Sequence, residues 1–206
     1  MGAHKTTKAE WGILFFSILY TIMFGTYFFS VGNYEFIWYV IVLFLLITVV
    51  SILHYFYQFN NGVLAGLSVW GLIHMAGGSI RINNAVLYRY IIYPFFSVEI
   101  TGTHILKFDQ FAHFYCYIFV TLLLYYIMKS YLDEKTPGVI FGIFLLLASV
   151  GIGALYEIIE FIPVLLLENT GVGDYYNTLW DLVFDTLGTL TAVIYLTIKR
   201  RMSKNS

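Results

Sequence analysis

Charge is what this chain carries least of. Of its 206 residues only 11% are Asp, Glu, Lys or Arg, against about 25% in soluble domains. Too few polar side chains exist to coat a globule in water, which excludes a soluble enzyme and a disordered chain. The formal net charge of -1 supplies no basic field, so nucleic acid is excluded as a partner. Cysteine occurs once, at Cys116, which rules out an internal disulfide framework and a multi-cysteine zinc site. The apolar runs do not alternate polar and apolar residues at every second position, so a membrane β-barrel is excluded as well.

What the chain has is hydrophobicity, with 60% hydrophobic and 20% aromatic residues and a mean hydropathy of +0.80. The apolar runs are Trp11–Ser30, Tyr34–Tyr57, Gly62–Gly78, Gln110–Tyr131, Gly138–Leu167 and Leu179–Ile198. A bilayer core of about 30 Å takes about 20 helical residues at about 1.5 Å each. The runs therefore predict an all-α, polytopic membrane protein: a bundle of six transmembrane helices forming a single transmembrane domain over residues 1–206. The third run is short and glycine-rich, and reads as either a short span or a re-entrant segment. The first follows Lys5 and Lys8, but it is longer than the roughly 7–15 apolar residues of a signal peptide and reads as an uncleaved anchor.

Orientation follows from the basic residues. With the amino terminus inside, Lys5, Lys8, Lys129, Lys135, Lys199, Arg200, Arg201 and Lys204 fall on the cytoplasmic side, and Arg81, Arg89 and Lys107 on the other. The positive-inside rule then places both termini in the cytoplasm of a plasma (inner) membrane. The loop over 79–109 is expected to cap the outer face. Tyr88, Tyr90, Tyr93, Phe95 and Phe96 give it interfacial character, and one short amphipathic helix is expected around Ala85–Phe96. Asp133 to Gly138 reads as a solvated turn with Pro137 starting the fifth helix, and Pro163 as a kink or stop just beyond Glu160.

A few ionisable side chains fall inside or beside the spans, where each costs roughly 2.5–3.5 kcal/mol on insertion scales and needs a partner. They are His74, Asp109, His113, Glu157, Glu160, Asp181 and Asp185, with Glu168 and Asp174 flanking the last outer connection. Asp109 and His113, and likewise Asp181 and Asp185, are four residues apart; Glu157 and Glu160 are three apart. Each pair thus shares one helix face. Counted along the helices, the span residues lie within about 15 Å of the outer boundary, so four helices bring polar groups to one depth. Two solutions suit such a cluster: a divalent cation (zinc, manganese, iron or magnesium) or a proton-sharing network. Plainer roles exist for several members. Asp109 and Asp181 suit a helix start, and His74 suits a hydrogen-bonded core histidine. His4, His54 and His104 read as solvated, and Cys116 as a small core hydrophobe.

Three blocks of sequence carry a resemblance: His74-Met-Ala-Gly77-Gly78, Phe108-Asp109-Gln110-Phe111-Ala112-His113-Phe114, and Tyr156-Glu157-Ile-Ile-Glu160-Phe161 continuing through Gly173, Asp174, Asn177, Thr178 and Asp181 to Gly188. Together they resemble the YjdF-type family of prokaryotic inner-membrane proteins and, more distantly, VanZ-like membrane proteins. The resemblance covers about Leu72–Ala192. It implies His74, Asp109, His113, Glu157, Glu160, Asp174 and Asp181 as signature residues and brings no particular activity. Asn177 stands where related sequences carry aspartate, and Phe161 where tryptophan is common.

The leading expectation is a metal site open to the outer leaflet, acting on a lipid or lipid-linked envelope molecule through metal-activated water. The metal ligands would come from His74, His113, Glu157, Glu160, Asp181 and Asp185, with a glutamate or His113 as general base and Asp109 orienting His113. Asp174 and Asn177 would be polar groups of the outer loop. A proton- or cation-coupled carrier, with Thr48, Ser51, His54 and Thr121 as a sparse exit path, is the second expectation. The third is a non-catalytic envelope-binding protein whose polar cluster only holds helices together.

Overall fold

The computed structural model describes residues 6–93, 97–98, 103–104, 106–132 and 136–205. Six helices dominate it: α1 (Lys8–Ser30), α2 (Tyr34–Tyr57), α3 (Asn61–Ser79), α4 (Phe108–Met128), α5 (Gly138–Leu166) and α6 (Tyr175–Asn205). All six are long and apolar enough to cross a membrane, and the fold is an all-α, six-span membrane bundle. The third run is one continuous helix of 19 residues, so its glycines do not interrupt it.

Polar caps set the helix starts. Thr7 and Glu10 form a reciprocal capping box that moves the start of α1 back to Lys8. Asn33 Oδ1 accepts from the Phe36 N–H at 3.1 Å and Asn60 Oδ1 from the Val63 N–H at 2.9 Å. Asp174 Oδ1 accepts from the Asn177 N–H at 3.0 Å, and α6 consequently begins at Tyr175, four residues before the apolar run. Asn177 therefore lies within α6, one turn before Asp181, rather than in an outer loop.

Pro163 does not stop α5 just beyond Glu160; the helix runs on to Leu166. Proline lacks the N–H that would have bonded the Ile159 carbonyl. That oxygen instead accepts from the Trp38 indole N–H at 3.2 Å, which ties α5 to α2. Nearby, Glu35 Oε2 accepts from the Gly171 N–H at 2.6 Å, fastening the α5–α6 connection to the start of α2.

The helices pack as two triplets, α1–α2–α3 and α4–α5–α6, joined through α3 and α4. Tyr20, Phe28, Phe36, Trp70, Met75 and Cys116 belong to the core spanning that junction, with Cys116 packed as a small hydrophobe. Flanks such as Ile41, Leu45, Leu155 and Leu165 are exposed, as lipid-facing side chains are.

Over its described residues, 85–93, the α3–α4 connection is not the amphipathic helix expected around Ala85–Phe96. β1 (Arg81–Ile82) and β2 (Ala85–Val86) form an antiparallel hairpin, followed by a single 3-10 turn over Leu87–Arg89. Asn83 and Asn84 both take positive φ, 50° and 66°, the backbone of a tight primed hairpin turn that asparagine tolerates. β3 (Ser97–Val98) pairs with β4 (Thr103–His104). The expectations for His4, Lys5, Phe95, Phe96 and the turn at 133–135 fall outside the described residues. His54 is buried rather than solvated: its Nδ1 accepts from the Phe59 N–H at 3.0 Å and its Nε2 lies 3.5 Å from Glu10 Oε1.

Candidate functional site

The site forms where the first turns of α4 and α6 meet the second half of α5. Asp109 and His113 lie a turn apart on α4, Glu157 and Glu160 on α5, and Asn177, Asp181 and Asp185 on successive turns of α6. Two missing side chains permit the approach. A Cβ at Gly188 would run into the Phe114 carbonyl oxygen, so α6 can lie against the main chain of α4. A Cβ at Gly153 would come within 2.6 Å of Asp185 Oδ2, so α5 leaves room for that carboxylate.

His113 is the hub. Its Nδ1 lies 2.9 Å from Asp185 Oδ1 and 3.9 Å from Glu157 Oε1, while its Nε2 lies 3.9 Å from Asp109 Oδ1. The shortest contact is a hydrogen bond in which Nδ1–H donates to the Asp185 carboxylate. That partner selects the tautomer that leaves the lone pair on Nε2, the nitrogen nearer Asp109. A ring nitrogen of His113 and one oxygen each from Asp109 and Asp181 lie within 4.8 Å of one another, as do donor atoms of His113, Glu157 and Glu160. Either trio has the spacing to hold a metal ion.

Asn177 braces the two aspartates. Its Nδ2 donates to Asp109 Oδ2 at 3.1 Å and to Asp181 Oδ2 at 2.6 Å, and its Oδ1 accepts from Lys107 Nζ at 3.2 Å. Both amide protons point at carboxylates and the amide oxygen at an ammonium, which fixes the orientation of the group. Asparagine is thus a positioning residue here, where an aspartate would add a third repelling carboxylate.

Charge in the cluster is unbalanced. Five carboxylates (Asp109, Glu157, Glu160, Asp181 and Asp185) gather around one imidazole, with one ammonium at the rim. Asp181 is 1% exposed and Asp185 0%, yet Asp181 Oδ1, Asp185 Oδ2 and Glu157 Oε1 are buried without a hydrogen-bond partner. Unmatched carboxylate oxygens at this depth need a cation or protons to offset their desolvation.

His74 stands apart from this group. The Tyr88 hydroxyl contacts its Nδ1 and donates to its carbonyl oxygen at 2.9 Å, and the Tyr156 hydroxyl lies 3.3 Å from its Nε2. Trp70 stacks on the ring at 5.4 Å between centroids. With both nitrogens engaged, His74 offers no lone pair to the acidic cluster, from which the Tyr156 ring separates it. A cavity of about 10 Å³, room for about one water, lies between the two histidines, lined by Tyr156, Cys116 and Tyr117 among others. Asp174 is exposed and caps α6.

Residue spacing alone did not single out Lys107, Tyr156, Gly153, or Ser149 and Thr189 of the buried hydroxyl layer below, of which only Thr121 was expected, as part of an exit path. There Thr189 donates to Ser149 at 2.9 Å, and Ser149 lies 2.9 Å from Thr121, which donates to the Tyr117 carbonyl at 2.6 Å. Their signal was present but faint: Thr189 follows Asp185, and Ser149 precedes Gly153, by one helical turn.

Among known proteins, a family model described as "Predicted membrane protein (DUF2238)" matches residues 12–202. No curated protein and no solved structure matches the chain.

Proposed function

The chain belongs to the DUF2238 family of predicted membrane proteins, and we propose that it is a YjdF-type membrane hydrolase whose buried acidic cluster binds one divalent cation. The observation that carries this is the His113–Asp185 hydrogen bond of 2.9 Å. A carboxylate that takes the Nδ1 proton leaves Nε2 as a ligand, the usual support for a metal-bound histidine. Nε2 of His113, Asp109 and Asp181 would supply three ligands. One imidazole with carboxylates suits manganese, iron or zinc, and magnesium less well. Asp185 then orients His113 and Asp109 ligates, the reverse of the roles expected from spacing.

Bound by these three side chains, the ion would supply Lewis-acid activation of a water molecule. Glu157, whose Oε1 has no hydrogen-bond partner, would take that water's proton as its oxygen attacks the ester carbon or phosphorus. The ester oxygen departs with the lipid alcohol, which collects that proton from Glu157. The positive-inside count of basic residues puts this end of the bundle at the outer leaflet of the inner membrane, with both termini cytoplasmic. Substrate would then be a lipid or lipid-linked envelope molecule.

The layer below the site favours hydrolysis over a carrier. Since Thr121 gives its proton to the Tyr117 carbonyl, Ser149 must donate to Thr121, and Thr189 donates to Ser149. Every proton in this chain is committed toward one backbone carbonyl. Beyond it Leu145 and Ala192 are buried and apolar, so among the described residues the hydroxyl chain does not continue along α5 and α6.

The test is hydrolysis of lipid esters and phosphoesters by protein loaded with manganese. Activity should vanish with a chelator and return with metal, and Glu157→Gln should lower the rate by about 100-fold or more while metal content stays unchanged. Turnover that ignores both the chelator and Glu157→Gln would contradict the proposal.

A further inference from the structure

Among the described residues Lys107 is the one lysine or arginine bonded into the cluster, and it is spent on a neutral partner. Its Nζ bonds only the Asn177 amide oxygen, at 3.2 Å, and among the described residues no carboxylate lies within ion-pair distance of it. A lysine beside five carboxylates would ordinarily bind one of them. Asn177 prevents this by taking the near oxygens of Asp109 and Asp181 itself. The ammonium thus keeps two donor positions that no described side chain takes, next to the trio proposed to hold the metal, where Asp181 Oδ1 is buried without a hydrogen-bond partner.

The chain around Lys107 is apolar. Ile91 bridges to Lys107, the Ile92 N–H donates to the Leu106 carbonyl at 2.9 Å, and the Phe108 N–H donates to the Tyr90 carbonyl at 2.9 Å. These bonds lay the segment 90–93 along the entrance to α4. Tyr90, Ile91, Ile92 and Tyr93 are all substantially exposed there. An exposed apolar ledge beside a lone ammonium and a dication site matches a molecule with an anionic head and long apolar chains.

We propose that the substrate is a phosphorylated lipid, whose phosphate is met by Lys107 beside the residues that would hold the metal and whose chains lie along residues 90–93. This deepens the reading above and rests on it. Phosphate fits better than a neutral carboxylic ester because the ammonium has a negative oxygen to meet and an acid-lined site admits an anion only beside fixed cations.

The experiment loads the full-length protein with manganese and titrates it with detergent-dispersed phosphatidate, with diacylglycerol, and with glycerol phosphate as the soluble counterpart. Phosphatidate should bind, diacylglycerol should not, and glycerol phosphate should bind much more weakly. Lys107→Met should weaken phosphatidate by about tenfold or more, the scale of one charge-assisted hydrogen bond, with manganese content unchanged; Lys107→Arg should restore most of it. Equal phosphatidate binding by wild type and Lys107→Met overturns the inference. So does diacylglycerol binding as tightly as phosphatidate, or glycerol phosphate doing so. Wild-type protein that takes up no manganese overturns the proposed function, and this inference with it.

Discussion

A single asparagine decides how the acidic residues face one another. Asp109 and Asp181 sit on different helices and would repel. The Asn177 amide, donating to both at 3.1 and 2.6 Å, converts that repulsion into a shared clamp. Asn177→Ala should release both carboxylates and lower manganese affinity by about 10–100-fold, the usual effect of losing a residue that orients metal ligands. Titration followed by electron paramagnetic resonance measures it, and unchanged affinity would remove the clamp from the account. His74 shows the opposite case. Spacing put it level with the cluster, but the tyrosines that occupy its nitrogens come from the 3-10 turn and from α5, at residues 88 and 156. No local pattern links residues 74, 88 and 156.

At the level of elements, the site depends on α4, α5 and α6 keeping a fixed register. Gly188 and Gly153 allow the helices to close, and the Thr189–Ser149–Thr121 chain pins all three one layer below Asp185. Ser149→Ala removes both interhelical bonds and leaves the Thr189 donor unmatched. It should destabilise the bundle by about 1 kcal/mol, the scale of interhelical hydrogen bonds in membranes, while manganese affinity is retained. Unfolding in detergent with increasing denaturant measures the first, and a Ser149→Ala protein as stable as wild type would contradict the role. Pro163 illustrates how an element can escape a local rule. Its missing N–H was legible as a break, but the tryptophan that takes up the freed carbonyl lies 121 positions earlier in the chain.

For the whole molecule, hydropathy alone located six spans, because a bilayer admits few architectures and long apolar runs declare themselves. The helix ends were less legible where caps decide them: Asp174 draws α6 back far enough to place Asn177 on the face of Asp181. The connection after α3 departs from the expected helix because Ala85 and Val86 pair back on Ile82 and Arg81 across the Asn83–Asn84 turn, and residues 90–92 bond the chain at 106–108. The acidic residues of the site were visible as costly charges in apolar runs; their pairing across helices was not, since it depends on which faces meet. The most direct test of the account is anomalous diffraction or high-resolution cryo-microscopy of the protein purified with manganese. The account predicts one metal ion bonded by His113 Nε2, Asp109 and Asp181, with Asp185 still on Nδ1, and no ion in a His113→Ala protein. A manganese-saturated structure with no ion among these side chains, or one in which Asp185 has left His113, would contradict it.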